Sequence, residues 1–219
     1  MIPMRWESLQ FEEYGIYQDE ALGRFTEDPV RLVHFLHAKQ SERAVDLGTG
    51  NGIIPLYANA LYGCPFAGLD TDEAQLRLAR LSAERNGQQI PFYAMDVSDA
   101  PKALGYGQYD LVTMNPPYYT EASAGEDPQR ARQRHGDRLS DFLAAAFLLL
   151  DNGGRLCLSY RAEGLVDLFA LLRQNRLEPK RMELVPNGGR VKLVLIEAKK
   201  LAKPGLHVSV FRGKAKGIT

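Results

Sequence analysis

Three glycines spaced two apart, Gly48, Gly50 and Gly52, interrupt the run Val45-Asp46-Leu47-Gly48-Thr49-Gly50-Asn51-Gly52-Ile53-Ile54. Lacking Cβ atoms, they let a backbone turn tightly and approach a ligand closely. The spacing is G-x-G-x-G. A dinucleotide fingerprint has G-x-G-x-x-G and a phosphate-binding P-loop ends in Gly-Lys-Ser/Thr, and both are absent. Asp46 says more, because a carboxylate beside the loop repels a pyrophosphate and favours a cation. Asp70 and Asp96 each close a later apolar run. A carboxylate at the end of the second run can accept hydrogen bonds from both hydroxyls of a ribose. One at the end of the third can reach the amino group of an adenine. The plainer alternative is a glycine turn with three surface acids.

A nucleoside that also carries a sulfonium and an ammonium is S-adenosylmethionine (SAM), which leaves as S-adenosyl-L-homocysteine after methyl transfer. The contacts expected for it are Asp46, the loop residues Gly48, Thr49, Gly50, Asn51 and Gly52, and the pairs Asp70-Thr71 and Asp96-Val97.

A second motif lies downstream, Asp110-Leu111-Val112-Thr113-Met114-Asn115-Pro116-Pro117-Tyr118-Tyr119. Two prolines after a strand end make a rigid turn with fixed φ, and neither supplies an N–H. An exocyclic amine on a nucleobase is a poor nucleophile and a double hydrogen-bond donor. The Asn115 side-chain oxygen and the Pro116 carbonyl can accept its two hydrogens and aim the nitrogen lone pair at a methyl group. No strong base is needed, since the proton can leave after transfer. Tyr118 can stack on the base and hold it out of its helix, a contact worth roughly 1–3 kcal/mol. Tyr119 is a second candidate. The catalytic set expected is therefore Asn115, Pro116, Pro117 and Tyr118. The alternative is a proline turn with two structural tyrosines.

These motifs need a scaffold. Asp28-Pro29-Val30 with Leu32, Val33, Phe35 and Leu36 reads as a helix capped by Asp28, with Pro29 in its first position. Strands are expected at 44–47, 66–70, 91–95, 109–114 and 155–160, and helices at 53–62, 72–86, 139–150 and 163–174. Closing strands are expected at 182–185, 191–198 and 206–211. Strand–helix alternation argues for an α/β, Rossmann-like doubly wound fold. We expect a mainly parallel seven-stranded sheet. The last strands have no helix between them, so they should pair as hairpins and form an antiparallel edge. Ligands in such sheets bind beyond the carboxyl ends of the strands, where both motifs fall.

At these residues the chain resembles class I SAM-dependent methyltransferases of the N6-adenine and N5-glutamine branch. Leu9-Gln10-Phe11, Ile16-Tyr17-Gln18 and Arg24-Phe25-Thr26-Glu27-Asp28 narrow this to a resemblance with bacterial tRNA adenine-N6 methyltransferases, which modify an adenosine beside the anticodon of a valine tRNA. The resemblance spans about residues 10–200. It implies that Thr26 and Asp28 line the SAM pocket and that Asn115 also contacts SAM. Residues 1–41 would be a lead-in with a helix packing over the cofactor site, and 42–219 the methyltransferase domain.

Hydrophobic residues make up 45% and charged residues 25%, which excludes wholesale disorder. Formal net charge is zero, yet from Arg173 onward there are 12 Lys/Arg against 3 Asp/Glu. Charge alone leaves both a nucleic-acid surface and an uneven solvated surface open. Arg130, Arg132 and Arg134, beside His135, suggest a flap on RNA phosphate, or else a solvated loop or helix start. Lys199 and Lys200, with Arg190, Lys192 and Lys203, suggest a basic rim.

Cys64 and Cys157 lie far apart in apolar runs and read as buried thiols. The four histidines lack metal-ligand spacing, so no metal is expected. No apolar run is long enough to span a bilayer, and a cytoplasmic protein is expected. A protein glutamine methyltransferase would carry a helical domain before the glycine loop, where about forty residues stand here. A SAM-binding module without catalysis is the rival of another class. The intact Asn115-Pro116-Pro117-Tyr118 argues against it.

Overall fold

The computed structural model describes residues 4–9, 14–19, 27–116 and 128–211, the side chains of 128–137 excepted. Its centre is a sheet built from β3 (Ala44–Leu47), β4 (Phe66–Asp70), β5 (Phe92–Ala94), β6 (Tyr109–Met114), β7 (Leu150–Arg161), β8 (Leu177–Asn187), β9 (Arg190–Lys200) and β10 (His207–Val210). The spatial order is β10-β8-β9-β7-β6-β3-β4-β5. The helices are α1 (Glu27–Leu36), α2 (Ile53–Tyr62), α3 (Glu73–Arg85), α4 (Ala100–Leu104), α5 (Pro128–Leu149) and α6 (Leu165–Gln174).

Alternate strand residues explain why helices cover both faces. Ala44, Phe66, Leu111, Cys157 and Leu195 pack in one apolar cluster with side chains of α1, α2 and α3. Their neighbours Val45, Ala67, Val112, Leu156 and Ile196 pack in another with α4, α5 and α6. Period-two burial on both faces is what a sheet sandwiched between helices requires.

Two expectations are corrected. The sheet has eight strands rather than seven, and its antiparallel member is internal. β9 runs antiparallel to both β7 and β8, while β10 pairs parallel with β8. The reason is geometric: β9 already uses both of its edges, so the last strand must cross to the free edge of β8. That edge strand exposes Val208 and Val210 by about half.

Other boundaries moved too. The helix expected from residue 139 begins at Pro128. α1 starts at Glu27, so Asp28 and Pro29 lie inside its first turn, where proline is tolerated because those N–H groups have no helical partner.

The lead-in holds an element with no sequence forecast. β1 (Arg5–Ser8) and β2 (Gly15–Gln18) form an antiparallel hairpin docked on the end of α3. Asn86 accepts from the Gly15 N–H at 3.0 Å and donates to its carbonyl at 2.8 Å. Ser82 Oγ accepts from Tyr17 N–H at 2.8 Å. The Arg85 guanidinium stacks 4.0 Å from the Trp6 ring centre. A Cβ at position 15 would collide with that ring.

The end of α1 is held from far along the chain. Arg155 donates to Leu36 O at 2.6 Å and binds Glu42 through two nitrogens, at 3.1 and 2.8 Å. Arg181 donates to Phe35 O at 2.6 Å and to Glu197 at 3.1 Å. The guanidiniums therefore cap the open carbonyls of a helix whose next residue, His37, is left-handed at φ 47°. Burial raises the Glu42 carboxyl, but the Arg155 hydrogen bonds outweigh it and hold the group below its usual range. Arg155→Leu should cost about 3 kcal/mol in urea denaturation, because it strands the mostly buried Glu42 carboxylate and the Leu36 carbonyl. A loss under about 0.5 kcal/mol would show that the cluster is not structural.

Candidate active site

Every parallel strand of the sheet points its carboxyl end at one edge, and the candidate residues gather there. The glycine loop is pinned to β4 by the N–H groups of Gly48 and Thr49, both donating to Leu69 O at 2.9 Å. Gly48, Gly50 and Gly52 all take positive φ, at 71°, 53° and 81°. A side chain at Gly52 would meet Ala79 and Phe92, whereas nothing lies within 4 Å of the place a Cβ would take at Gly50. The loop is thus packed at its far end and open at its middle. Phe142 of α5 stands against Gly48.

Asp46 and Thr113 are in register on β3 and β6, both fully buried. Thr113 Oγ1 donates to Asp46 Oδ1 at 2.6 Å. Burial pushes the Asp46 carboxyl up to about 7, with the Asp70 charge adding to the effect and the Thr113 and Thr49 hydroxyls opposing it. Asp46 Oδ2 and Thr49 Oγ1 are buried, and beyond their closeness to each other neither has a hydrogen-bond partner among the described residues. A buried acceptor left unpaired is costly, and these atoms can accept from a cationic ligand over the open middle of the loop.

Asp70 accepts from Gly50 N–H at 2.8 Å and from Asp72 N–H at 3.0 Å. It therefore ties the loop to the end of β4, and each oxygen keeps lone pairs for hydroxyl donors. Thr71 is exposed beside it. Asp96 is exposed and caps a 3₁₀ turn, accepting from the Ser98 hydroxyl at 2.7 Å and N–H at 2.9 Å, which lowers its pKa. Val97 packs into the core, so it can offer a ligand only its backbone. Asn51 is buried within the loop.

Asn115 follows β6 directly, and the hydroxyl of Ser159, fully buried on β7, donates to its Oδ1. Pro116 is buried beside it. Thr26, Pro117, Tyr118 and Tyr119 lie outside the described residues. Arg130, Arg132 and Arg134 sit on the first turns of α5, and their side chains are likewise outside. The proposed flap therefore begins as helix. At roughly 33 Å, α5 is longer than the roughly 20 Å of β6, so its start reaches past the strand ends.

Lys199 and Lys200 are not brought to this site. Because β9 is antiparallel, its last residues lie at the opposite edge, where Lys199 stands across from Arg155. Lys200 Nζ donates to Leu150 O at 2.6 Å and faces the Phe147 ring at 4.5 Å.

Thr113, Ser159 and Phe142 were not singled out from sequence. A signal existed for two of them. Thr113 is two residues before Asn115 and so shares its strand face, and Ser159 is the polar residue inside Leu156-Cys157-Leu158-Ser159-Tyr160. Phe142 carried none, since its contact is made by a neighbouring helix. Among the described residues no group of three His, Cys, Asp or Glu is arranged to hold a metal, and no helix is long and apolar enough to cross a membrane. Cys64 and Cys157 are buried and unpaired with each other.

A glycine loop after the first strand of a doubly wound sheet, with acids on successive strand ends, is the architecture of the nucleoside-binding methyltransferases. The chain matches the methyltransferase small domain family over residues 29–164 and belongs to that family. It is 27% identical over 208 residues to a tRNA1(Val) (adenine(37)-N6)-methyltransferase of Parabacteroides distasonis, covering 90% of this chain and 86% of that protein. It is 26% identical over 219 residues to the protein of the same name from Trichodesmium erythraeum, covering 92% and 87%. Among solved structures it superposes on TrmN from Thermus thermophilus with a TM-score of 0.62 at 27% identity, covering 79% of this chain and 48% of that one. A predicted O-methyltransferase from Agrobacterium tumefaciens superposes at 0.68 with 20% identity, covering 84% and 85%, a likeness of fold alone.

Two outcomes are expected. A cation needs Asp46 ionised, so SAM binding should tighten roughly ten-fold from pH 6 to pH 8 and release a proton below about pH 7; Asp46→Asn should flatten that profile in calorimetry. Without ligand the sign reverses. The folded chain holds the Asp46 proton more tightly than the unfolded chain, so this group's contribution to stability falls as pH rises toward 7. Ser159→Ala should lower kcat by roughly three- to ten-fold, the worth of one neutral hydrogen bond, with SAM affinity unchanged. An equal loss in SAM affinity would assign Ser159 to the cofactor side instead.

Proposed function

We propose that this chain is a SAM-dependent methyltransferase that methylates the exocyclic N6 of an adenine in tRNA. The observation that carries this reading is the Asn115 side-chain oxygen at the end of β6, backed by the buried Ser159 hydroxyl and placed on the same sheet edge as the unpartnered Asp46 oxygen. The tRNA adenine-N6 relatives, alike over nearly the whole chain, support the substrate class.

When bound, SAM supplies an electrophilic methyl group. Asp46 and the open loop at Gly50 fit its cationic end, Asp70 its ribose hydroxyls, and Asp96 its adenine amine. Ser159 donates to Asn115 Oδ1, a carbonyl oxygen able to accept more than one hydrogen bond, and in this reading it also accepts an amine hydrogen. The Pro116 carbonyl is the second acceptor in this reading. Holding both hydrogens draws the nitrogen toward a tetrahedral shape and frees its lone pair. Pro117 keeps the turn rigid, and Tyr118 and Tyr119 stack on the base. Thr26 and the lead-in before α1 close over the cofactor. Arg130, Arg132 and Arg134 contact RNA phosphate from the overhanging start of α5. An exposed anticodon loop suits this arrangement, since an A-form helix hides its base edges. Such a substrate fits a cytoplasmic enzyme.

The test is methyl transfer from labelled SAM to total tRNA, duplex DNA and release factor, offered separately. Label in tRNA recovered as N6-methyladenosine, and lost in Asn115→Ala by at least about a hundred-fold, is the expected result. Label confined to release factor would move the reaction to a glutamine side-chain amide, also a planar double donor. SAM binding with no transfer to any of them would overturn the reading.

A further inference from the structure

The two halves of the basic C-terminal region lie at opposite edges of the sheet, and one half has no assigned work. β8 and β9 form an antiparallel ribbon closed by Gly188 and Gly189, both at positive φ, 59° and 83°. Such a two-residue turn holds its strands in a fixed register. The ladder between β9 and β7 ends at the pair Arg161 and Leu193. Beyond it the ribbon continues alone through Pro186, Asn187, Arg190 and Lys192, all exposed. Since β7 runs toward the edge that carries Ser159 and Asn115, the ribbon overhangs that edge. Leu195 stands opposite Ser159, and Arg190 lies five residues further out, roughly 17 Å along the strand.

Arg190 and Lys192 form no ion pair with any described residue. Their charge is therefore uncommitted, unlike that of Arg155 on β7 and Arg181 on β8. Both cations are exposed near the ribbon tip, Arg190 beside the turn and Lys192 at the register shift where β9 spends an extra residue between Leu193 and Val191. A turn of two glycines lets a polymer backbone pass closely. These features fit a chain of phosphates leaving the active site.

We infer that the tip of the β8–β9 ribbon grips the RNA backbone a few nucleotides from the target base, with Arg190 and Lys192 each neutralising a phosphate. This rests on the tRNA reading above and adds a contact that neither the glycine loop nor Asn115 supplies. The ribbon and the start of α5 then reach past the same edge from separate elements.

The test compares wild type with the double variant Arg190→Glu/Lys192→Glu, using a tRNA transcript that wild type methylates, across a series of salt concentrations. The expected result is roughly ten-fold weaker RNA binding near 0.1 M salt and a salt slope shallower by about one to two. kcat at saturating RNA, SAM affinity and the melting temperature should stay at wild-type values. Lys199→Glu, at the opposite edge, should leave the slope unchanged. Wild-type affinity and slope in the double variant would overturn the ribbon assignment while the tRNA activity stands. An equal loss of slope in Lys199→Glu would also overturn it, as that is a diffuse charge effect. If wild type labels only a protein substrate, the tRNA reading and the ribbon contact fall together.

Discussion

A sheet covered by helices on both faces has no water along its strands, and every polar side chain there needs a partner. Most of this molecule obeys that constraint with apolar residues on both faces. The exceptions identify the site. Asp46, Thr113 and Ser159 are buried strand residues that bear polar atoms, on neighbouring strands and near the same edge. Thr113 answers one oxygen of Asp46, Ser159 answers Asn115, and the second oxygen of Asp46 stays unanswered. The candidate site is thus the place where the interior rule is broken, with an acceptor left open to a ligand.

The same constraint explains how much was readable beforehand. The glycine loop, the acids at the ends of β3 and β4 and the start of Asn115-Pro116 fall where strand-to-helix punctuation placed them. That happens because turns and apolar periodicity are local properties. The eight-stranded order was not legible, nor was the internal position of β9. They depend on which strand edges remain open, and that is settled only once the other strands have paired. The β1–β2 hairpin was missed for a like reason: its stability comes from Ser82, Arg85 and Asn86 on α3, not from its own four-residue strands. Lys199 and Lys200 show the cost of reading charge without direction. Arg190, Lys199 and Lys200 belong to one strand, and its antiparallel course puts Arg190, not the lysines, toward the edge that carries Ser159.

Asp70 illustrates a role that sequence logic half captured. An acid at that position suggests ribose recognition, and its lone pairs leave room for that. Its oxygens also take the N–H groups of Gly50 and Asp72, so the residue holds the glycine loop in shape before any ligand arrives. In the proposed reading recognition and preorganisation share one carboxylate, which fits a site whose loop otherwise has the freedom of three glycines.

The capping of α1 has a consequence for synthesis on the ribosome. The helix is among the first segments made, yet the guanidiniums that close its end come from residues 119 and 146 positions later than the carbonyls they cap. A nascent chain that stops short of Arg181 leaves the Phe35 carbonyl without its partner and the apolar face of α1 without β9, and one that stops short of Arg155 leaves Leu36 uncapped as well. The end of α1 is therefore completed only after most of the chain has emerged, and a truncation from the far end reaches it although the helix lies near the start.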